Sequence, residues 1–176
     1  MKIGLCGTMS VGKTTLVNSL KEIPMFRNYN FATERSKYLN DLGIPLNTDS
    51  TLKGQTVFLA ERCAELMNDH IITDRTIIDV MAFCALSEAM NVEEKNTLKN
   101  TLKHLIKEYS VIFYINDLSI PIEDNGVRET DEHYRDLIDF TITTLIKRYA
   151  HMMENVETIK GTTEERIHQM LRVISS

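Results

Sequence analysis

Tryptophan is absent from this chain, and proline and cysteine are scarce, at three residues each in 176. Cys6, Cys63 and Cys84 are odd in number and far apart, with no C-x-x-C spacing. That excludes a disulfide framework and points to small buried hydrophobes in a reducing compartment, so the cytoplasm is the expected location. The five histidines show no ligand spacing, which excludes a structural zinc site. Pro24, Pro45 and Pro121 all fall in stretches that read as loops. No apolar run reaches the length of a membrane span, and no membrane partner is expected. The N-terminus reads as a buried strand entering a functional loop, not as a cleavable signal. Basic charge is not in excess either. A net charge of −5 leaves no overall footprint for a polyanion, although a local basic cleft is compatible with it. Repeats and low-complexity segments are missing. What remains is 43% apolar and 26% charged residues, ordinary for a soluble globular protein, in a length that suits one domain over residues 1–176.

Against these absences one stretch stands out, "GLCGTMSVGKTT", Gly4 to Thr15. Its spacing is G-x-x-x-x-G-K-T, from Gly7 through Thr8, Met9, Ser10 and Val11 to Gly12, Lys13 and Thr14. Glycines admit backbone dihedrals closed to other residues, so successive N–H groups can face one concavity. Such a concavity fits the α- and β-phosphates of a nucleotide, and the helix that follows adds the positive end of its dipole. Lys13, read as a solvent-side point charge, is placed to reach the β/γ-phosphates, and the Thr14 hydroxyl to ligate Mg²⁺. Thr15 can add a hydroxyl to the α-phosphate. The competing reading is a Gly-rich turn that only joins a strand to a helix. "MKIGLCG" before the loop reads as a buried strand. "KTTLVNSLKEI" after it reads as a helix with Leu16, Leu20 and Ile23 on one face.

Four further strands follow: "NYNFAT" ending at Glu34, "HIITD", "SVIFYIN" and "VETIKG". Helical patterns lie between them. "TLKGQTVFLAERCAELMN" carries an apolar stripe at Val57, Leu59, Ala60, Cys63, Ala64 and Met67. "TIIDVMAFCALSEAM" is apolar on more than one side, and "VEEKNTLKNTLKHLIKEY" reads as one helix. The helix from Tyr134 to Tyr149 is long and regular, and "TTEERIHQMLRVI" closes the chain with Thr162 or Thr163 as N-cap. Strands alternating with helices predict an α/β fold, a five-stranded parallel sheet with helices on both faces in three layers. Function then belongs at the carboxyl ends of the strands: Glu34 and Arg35, Asp74 and Arg75, Asn116 and Asp117, Lys160 and Gly161.

In "HIITDRT" an acid directly follows apolar strand residues. Asp74 is placed to face Mg²⁺ and its waters across from the lysine loop. Its alternative is to cap the helix beginning near Thr76. Arg75 is costly to bury alone, so a phosphate or a carboxylate is its natural partner.

Taken in order, these motifs resemble small P-loop kinases, the group spanning thymidylate kinase, deoxynucleoside kinases and the nicotinamide riboside kinase domain. "NFATERSKYLNDLG", "DRTIIDVMAF" and "DNGVRETDEHYRD" look most like short kinases encoded by bacteriophages. The likeness covers nearly the whole chain. It implies the P-loop NTPase fold with a mobile lid over about residues 118–136, and ATP with Mg²⁺ as cofactors. It implies Glu34 as the acceptor-side acid, with Asp74 as its competitor for the role of base; the plainer alternative for Glu34 is a surface ion pair with Arg35 or Lys37. Arg128 and Arg135 are the lid candidates for stabilising the transferred phosphoryl group. Lys160, Gly161 and Thr162 occupy the turn that in relatives packs against adenine. The implied acceptor is a nucleoside or nucleoside monophosphate, in a pocket covered by Tyr38 to Gln55. The phage-like branch instead suggests a hydroxymethylated pyrimidine in DNA, and a homodimer is compatible with either. Other classes fit less well. A GTPase switch lacks its N-K-x-D and D-x-x-G here. A mechanical AAA-type ATPase wants an acid pair after the third strand and an added helical domain. An acceptor-independent ATPase or a pure nucleotide-binding module leaves the convergence of Glu34, Asp74 and Arg75 unexplained.

Overall fold

The structure, a computed structural model, describes residues 1–33, 35–122 and 130–175. Its strands are β1 (Lys2–Cys6), β2 (Asn30–Ala32), β3 (Ile71–Asp74), β4 (Val111–Ile115) and β5 (Val156–Ile159). All pair in parallel, in the order β2-β3-β1-β4-β5. Both faces of the sheet are covered, so the central strands read as nearly continuous apolar runs. Every residue of β3 and β4 is buried, whereas the edge strands β2 and β5 are partly exposed.

The helices are α1 (Lys13–Leu20), α2 (Ser36–Asp41), α3 (Leu52–Leu66), α4 (Ile77–Leu86), α5 (Val92–Leu102), α6 (Glu132–Tyr149) and α7 (Thr163–Ile174). Alternation along β4 splits the core into two layers. Val111, Phe113 and Ile115 pack with Leu16, Leu20 and Met170 of α1 and α7. Ile112 and Tyr114 pack with α4, α5 and α6 through residues such as Ile78, Leu102 and Ile138. The expected three-layer α/β architecture is therefore the observed one. Among the described residues no helix is long and apolar enough to cross a membrane.

Two expectations about helices need correction. The stretch from Val92 to Tyr109 is not one helix: α5 ends at Leu102, and a 3-10 turn runs over Lys103–Glu108. The tightening lets the chain turn into β4 while Ile106 stays buried. The stripe assigned to α3 also holds only in part: Val57, Leu59 and Cys63 are half-buried, Leu59 against the core. Ala60 and Ala64 are exposed, and Met67 beyond the helix end is 84% exposed. The buried face instead carries Gly54, Gln55, Arg62 and Leu66. A polar inward face makes sense only where a helix borders a site, and α3 lies beside the carboxyl end of β3.

Candidate functional site

The register of the three central strands sets the geometry. Leu5 of β1 lies opposite Asp74 of β3 and Phe113 of β4, so the loops after these strands leave from one edge of the sheet. The loop from Gly7 to Gly12 wraps this edge. A side chain at Gly7 would run into the Ile115 carbonyl, and Gly12 sits at φ 84°, in the left-handed region. A cavity of about 580 Å³ opens above the loop. Met9 through Thr15 line its floor, Asp74 and Arg75 one wall, and Gly161, Thr162 and Arg166 the other.

Not every loop residue reaches that cavity. The Gly7 N–H donates to Asp79 Oδ1 at 3.1 Å, so this amide is already engaged. Thr8 is fully buried and its hydroxyl donates to the Arg135 carbonyl at 3.1 Å. Both shape the loop from behind. Lys13 departs from the solvent-side picture as well. Its side chain is only 6% exposed, and Nζ donates to the carbonyls of Gly7 and Thr8 at 2.6 Å each. Burial foremost, then the Arg75 charge, pull its pKa below the usual lysine value, against the opposing pull of Asp79 and Asp74.

Asp74 is 1% exposed and accepts the Thr14 hydroxyl through Oδ2 at 2.6 Å. It does not cap α4. Thr76 is the N-cap, in a capping box with Asp79, whose Oδ2 accepts from the Thr76 N–H at 2.7 Å. Asp74 Oδ1 is buried without a hydrogen-bond partner among the described residues. Among the described residues no cluster of three or more His, Cys, Asp or Glu could hold a metal by itself. A hydroxyl beside one carboxylate with a spare oxygen suits Mg²⁺, which takes few protein ligands and keeps phosphate and water for the rest.

Arg75 has φ 95°, unusual for a residue with a side chain, and its N–H donates to the Leu5 carbonyl at 3.0 Å. Its guanidinium lies 4.8 Å from the centre of the Phe83 ring. Arg75 thereby borders two spaces, the large cavity and a narrow cleft of about 40 Å³ walled by Gln55, Phe58 and Phe83. The segment from Tyr38 to Gln55, expected to cover the acceptor, contributes Leu46, Asn47 and Gln55 to that cleft. Tyr38 itself is half exposed under the Arg35 guanidinium.

Other expected residues fall elsewhere. Lys160 is absent from the cavity wall. It is exposed beside a neighbouring open cleft, its backbone bonded to Gln169. Arg135 is buried and does not line the cavity, donating instead to the carbonyls of Ile120 and Leu118 at 2.8 and 3.1 Å. Glu34, Arg128 and most of the central lid lie outside the described residues.

Three residues escaped the sequence reading. Asp79 carried a signal, its spacing of three from Thr76 being that of a capping box. Arg166, 3% exposed, donates to the Val11 carbonyl at 2.7 Å and pairs with Asp117 at 2.8 Å. Its clue was a position four residues before Met170, in the buried register of α7. Asp117 is held below the usual carboxylate range by the Ser119 hydroxyl above all, with Arg166 adding to it against burial. Arg62 carried no signal at all.

Comparison with solved structures agrees with this layout. The fold is similar to deoxyadenosine kinase from M. mycoides solved with dCMP and dCDP, at TM-score 0.74 and 16% identity over 99% of each chain. The same enzyme with dATP bound gives TM-score 0.70 and 18% identity over 100% of each chain. Thymidylate kinase from Candida albicans gives 0.67 and 17%, covering 99% of this chain and 90% of that one. At such identities the likeness is one of fold, that of the small P-loop kinases. No curated protein matches the sequence. The acid pair wanted by a mechanical AAA-type ATPase is missing, since Arg75 follows Asp74. Yet the match that spans the loop, all five strands and the start of α7, residues 2–166, is to the family described as AAA domain, and the chain belongs to that family.

Proposed function

We propose that the protein is an ATP-dependent kinase that moves the γ-phosphoryl group of Mg-ATP to a nucleoside or nucleoside monophosphate. The observation that carries this reading is Arg75, which stands between the large cavity above the Gly7–Gly12 loop and a second, smaller cleft with aromatic walls. An ATPase needs only the first space, whereas a transferase needs two that meet.

In this reading Met9 to Thr15 cradle the donor phosphates, and Lys13 turns from the loop carbonyls to the β/γ-oxygens. Gly161 and Thr162 border the nucleoside end of the donor. Thr14 and Asp74 would hold Mg²⁺, which would neutralise charge on the phosphates. Asp74 is committed to Thr14, and this favours Glu34 as the group that takes the acceptor hydroxyl's proton. The acceptor oxygen then bonds to phosphorus as the bond to the β-phosphate oxygen breaks and ADP leaves. Arg75 and the lid's Arg128 offset charge on the group in transit. The cleft has room for only about three waters, so the acceptor must widen it on entry. A gate of that kind keeps ATP from water until the acceptor is seated.

The test is label transfer from γ-labelled ATP with Mg²⁺ to nucleosides, nucleoside monophosphates, nicotinamide riboside and DNA containing hydroxymethylated pyrimidines, each alone. The expected result is slow hydrolysis alone and transfer at least about tenfold faster to one nucleoside or nucleotide. Transfer to the modified DNA, falling steeply as salt rises, would replace the small acceptor by a polymer. Brisk hydrolysis without transfer would leave an ATPase.

A further inference from the structure

Behind the site, α3 sends a buried arginine into the turn that carries Asp74 and Arg75. Arg62 is 4% exposed. One terminal nitrogen, Nη1, donates to the carbonyls of Asp74 and Arg75 at 3.4 and 3.2 Å. The other, Nη2, meets Glu65 Oε1 at 2.6 Å. The turn it grips is a strained one, because Arg75 is held at φ 95°. Such a conformation is costly and persists only where neighbours over-determine it. On one side the Arg75 N–H is tied to Leu5 of β1. On the other side the two carbonyls are tied to Arg62. Seven and four residues earlier on the same helix, Gln55 and Phe58 wall the smaller cleft.

We propose that Arg62 is a positioning residue. It fixes the left-handed turn that sets Asp74 against Thr14 and throws Arg75 between the two spaces, and it links that turn to the cleft wall through α3. The inference rests on the kinase reading for its kinetic consequence and on geometry alone for its structural one. Arginine suits the task because its planar fork donates to carbonyls on one side and a carboxylate on another, which a lysine cannot do together. Glu65 holds the fork in place, and Glu61, one turn earlier, is paired instead with Arg35 at 3.1 Å. Arg62 Nε and Glu65 Oε2 are buried without partners among the described residues.

The test compares R62M, which keeps the apolar stem, with R62K and E65Q. In label-transfer kinetics R62M should lower kcat about 10- to 100-fold while KM for ATP and acceptor stays within about threefold. R62K should recover part of the loss, and E65Q should fall between wild type and R62K. Hydrogen exchange supplies a readout independent of turnover. In R62M the amides of Arg75 and Thr76 should exchange at least about tenfold faster while those of β4 are unchanged. A rise in acceptor KM at constant kcat would make Arg62 a substrate contact and overturn the proposal. So would unchanged exchange at Arg75, or a loss of activity that only follows the folded fraction. Should R62M fail to fold, R62K and E65Q carry both readouts. If the wild type transfers label to no acceptor, the kinase reading fails, while exchange at Arg75 still decides the role of Arg62.

Discussion

In the proposed reading the donor side is the open cavity, whose floor is one run of neighbours in sequence, and the acceptor side is the nearly shut cleft, assembled from residues far apart. Met9 to Thr15 make the floor of a cavity of about 580 Å³ from seven consecutive residues. The cleft of about 40 Å³ draws Ser36, Gln55, Arg75 and Phe83 from four separate elements. Backbone contacts to a phosphate chain are the same for every nucleotide, so a short loop can be built once and left preformed. Recognition of one acceptor needs side chains from several directions and a water-excluding closure, so that half is left to move. The contrast predicts where substitutions act on kcat, on one KM or on stability alone.

The hardest blow to the donor side is Lys13→Ala. With the ammonium gone, the developing charge on the β/γ-oxygens loses its nearest cation, and turnover should fall about a thousandfold with every acceptor. Because Lys13 is buried on loop carbonyls, a melting measurement must accompany the assay. Near-normal turnover in a folded variant would show that the cavity is not a phosphate site. Asp74→Asn strikes where the two sides meet. The neutral amide still bonds Thr14 but loses the charge that suits a divalent cation. Activity should drop about a hundredfold and need several-fold more Mg²⁺ for half-saturation. An unchanged Mg²⁺ requirement would move the metal role to Glu34.

The same contrast explains what the sequence could and could not tell. The five strands, their parallel order of use and the loop were legible because each is written locally, in an apolar run or a fixed spacing. Of the smaller cleft only Arg75 and the segment from Tyr38 to Gln55 were nominated, and the α3 and α4 residues beyond Gln55 that face it were not. Gln55 and Arg62 lie in α3, whose apolar residues suggested a stripe from Val57 to Met67 of which Ala60, Ala64 and Met67 turn out to face solvent. Periodicity assumes that the buried face is the apolar one, and that fails where a helix borders a polar site. Lys160 failed for another reason. Strand-end position was enough to nominate it, but the Gly161 turn takes its side chain to the next cleft. Arg166 reached the donor wall from α7, which no spacing rule connects with the loop.

Arg166→Ala sharpens the comparison from the donor side alone. The guanidinium holds the Val11 carbonyl and Asp117 and presses on Gly12, where an added Cβ would sit 3.0 Å from it. Losing it frees the loop and takes one cation from the cavity wall. KM for ATP should rise about five- to tenfold, with acceptor KM and kcat within about twofold. A matching rise in acceptor KM would mean that the two sides are not separable through this residue.

The smallest effect belongs to the frame of the acceptor side and depends on pH. Burial, opposed by the Arg62 charge and aided by Glu61, lifts Glu65 from 4.5 to about 7. A carboxyl whose pKa is higher folded than unfolded binds its proton more tightly in the folded chain. Its contribution to stability is therefore complete below about 4.5 and is lost as pH rises through about 7. Glu65→Gln removes the titration, so wild type should gain stability relative to the variant as pH falls from 8 to 5. The gain should be about 1 kcal/mol, kept small because the Arg62 charge offsets part of the cost of burying the ionised carboxylate. Activity should move the opposite way, because protonated Glu65 releases its ionic hold on Arg62 and the turn behind Asp74 loosens. Melting temperatures and kcat of both proteins across that range separate the two effects. A stability difference that is flat with pH would mean that Glu65 titrates at its ordinary value, and a kcat difference that is flat would detach Glu65 from the turn.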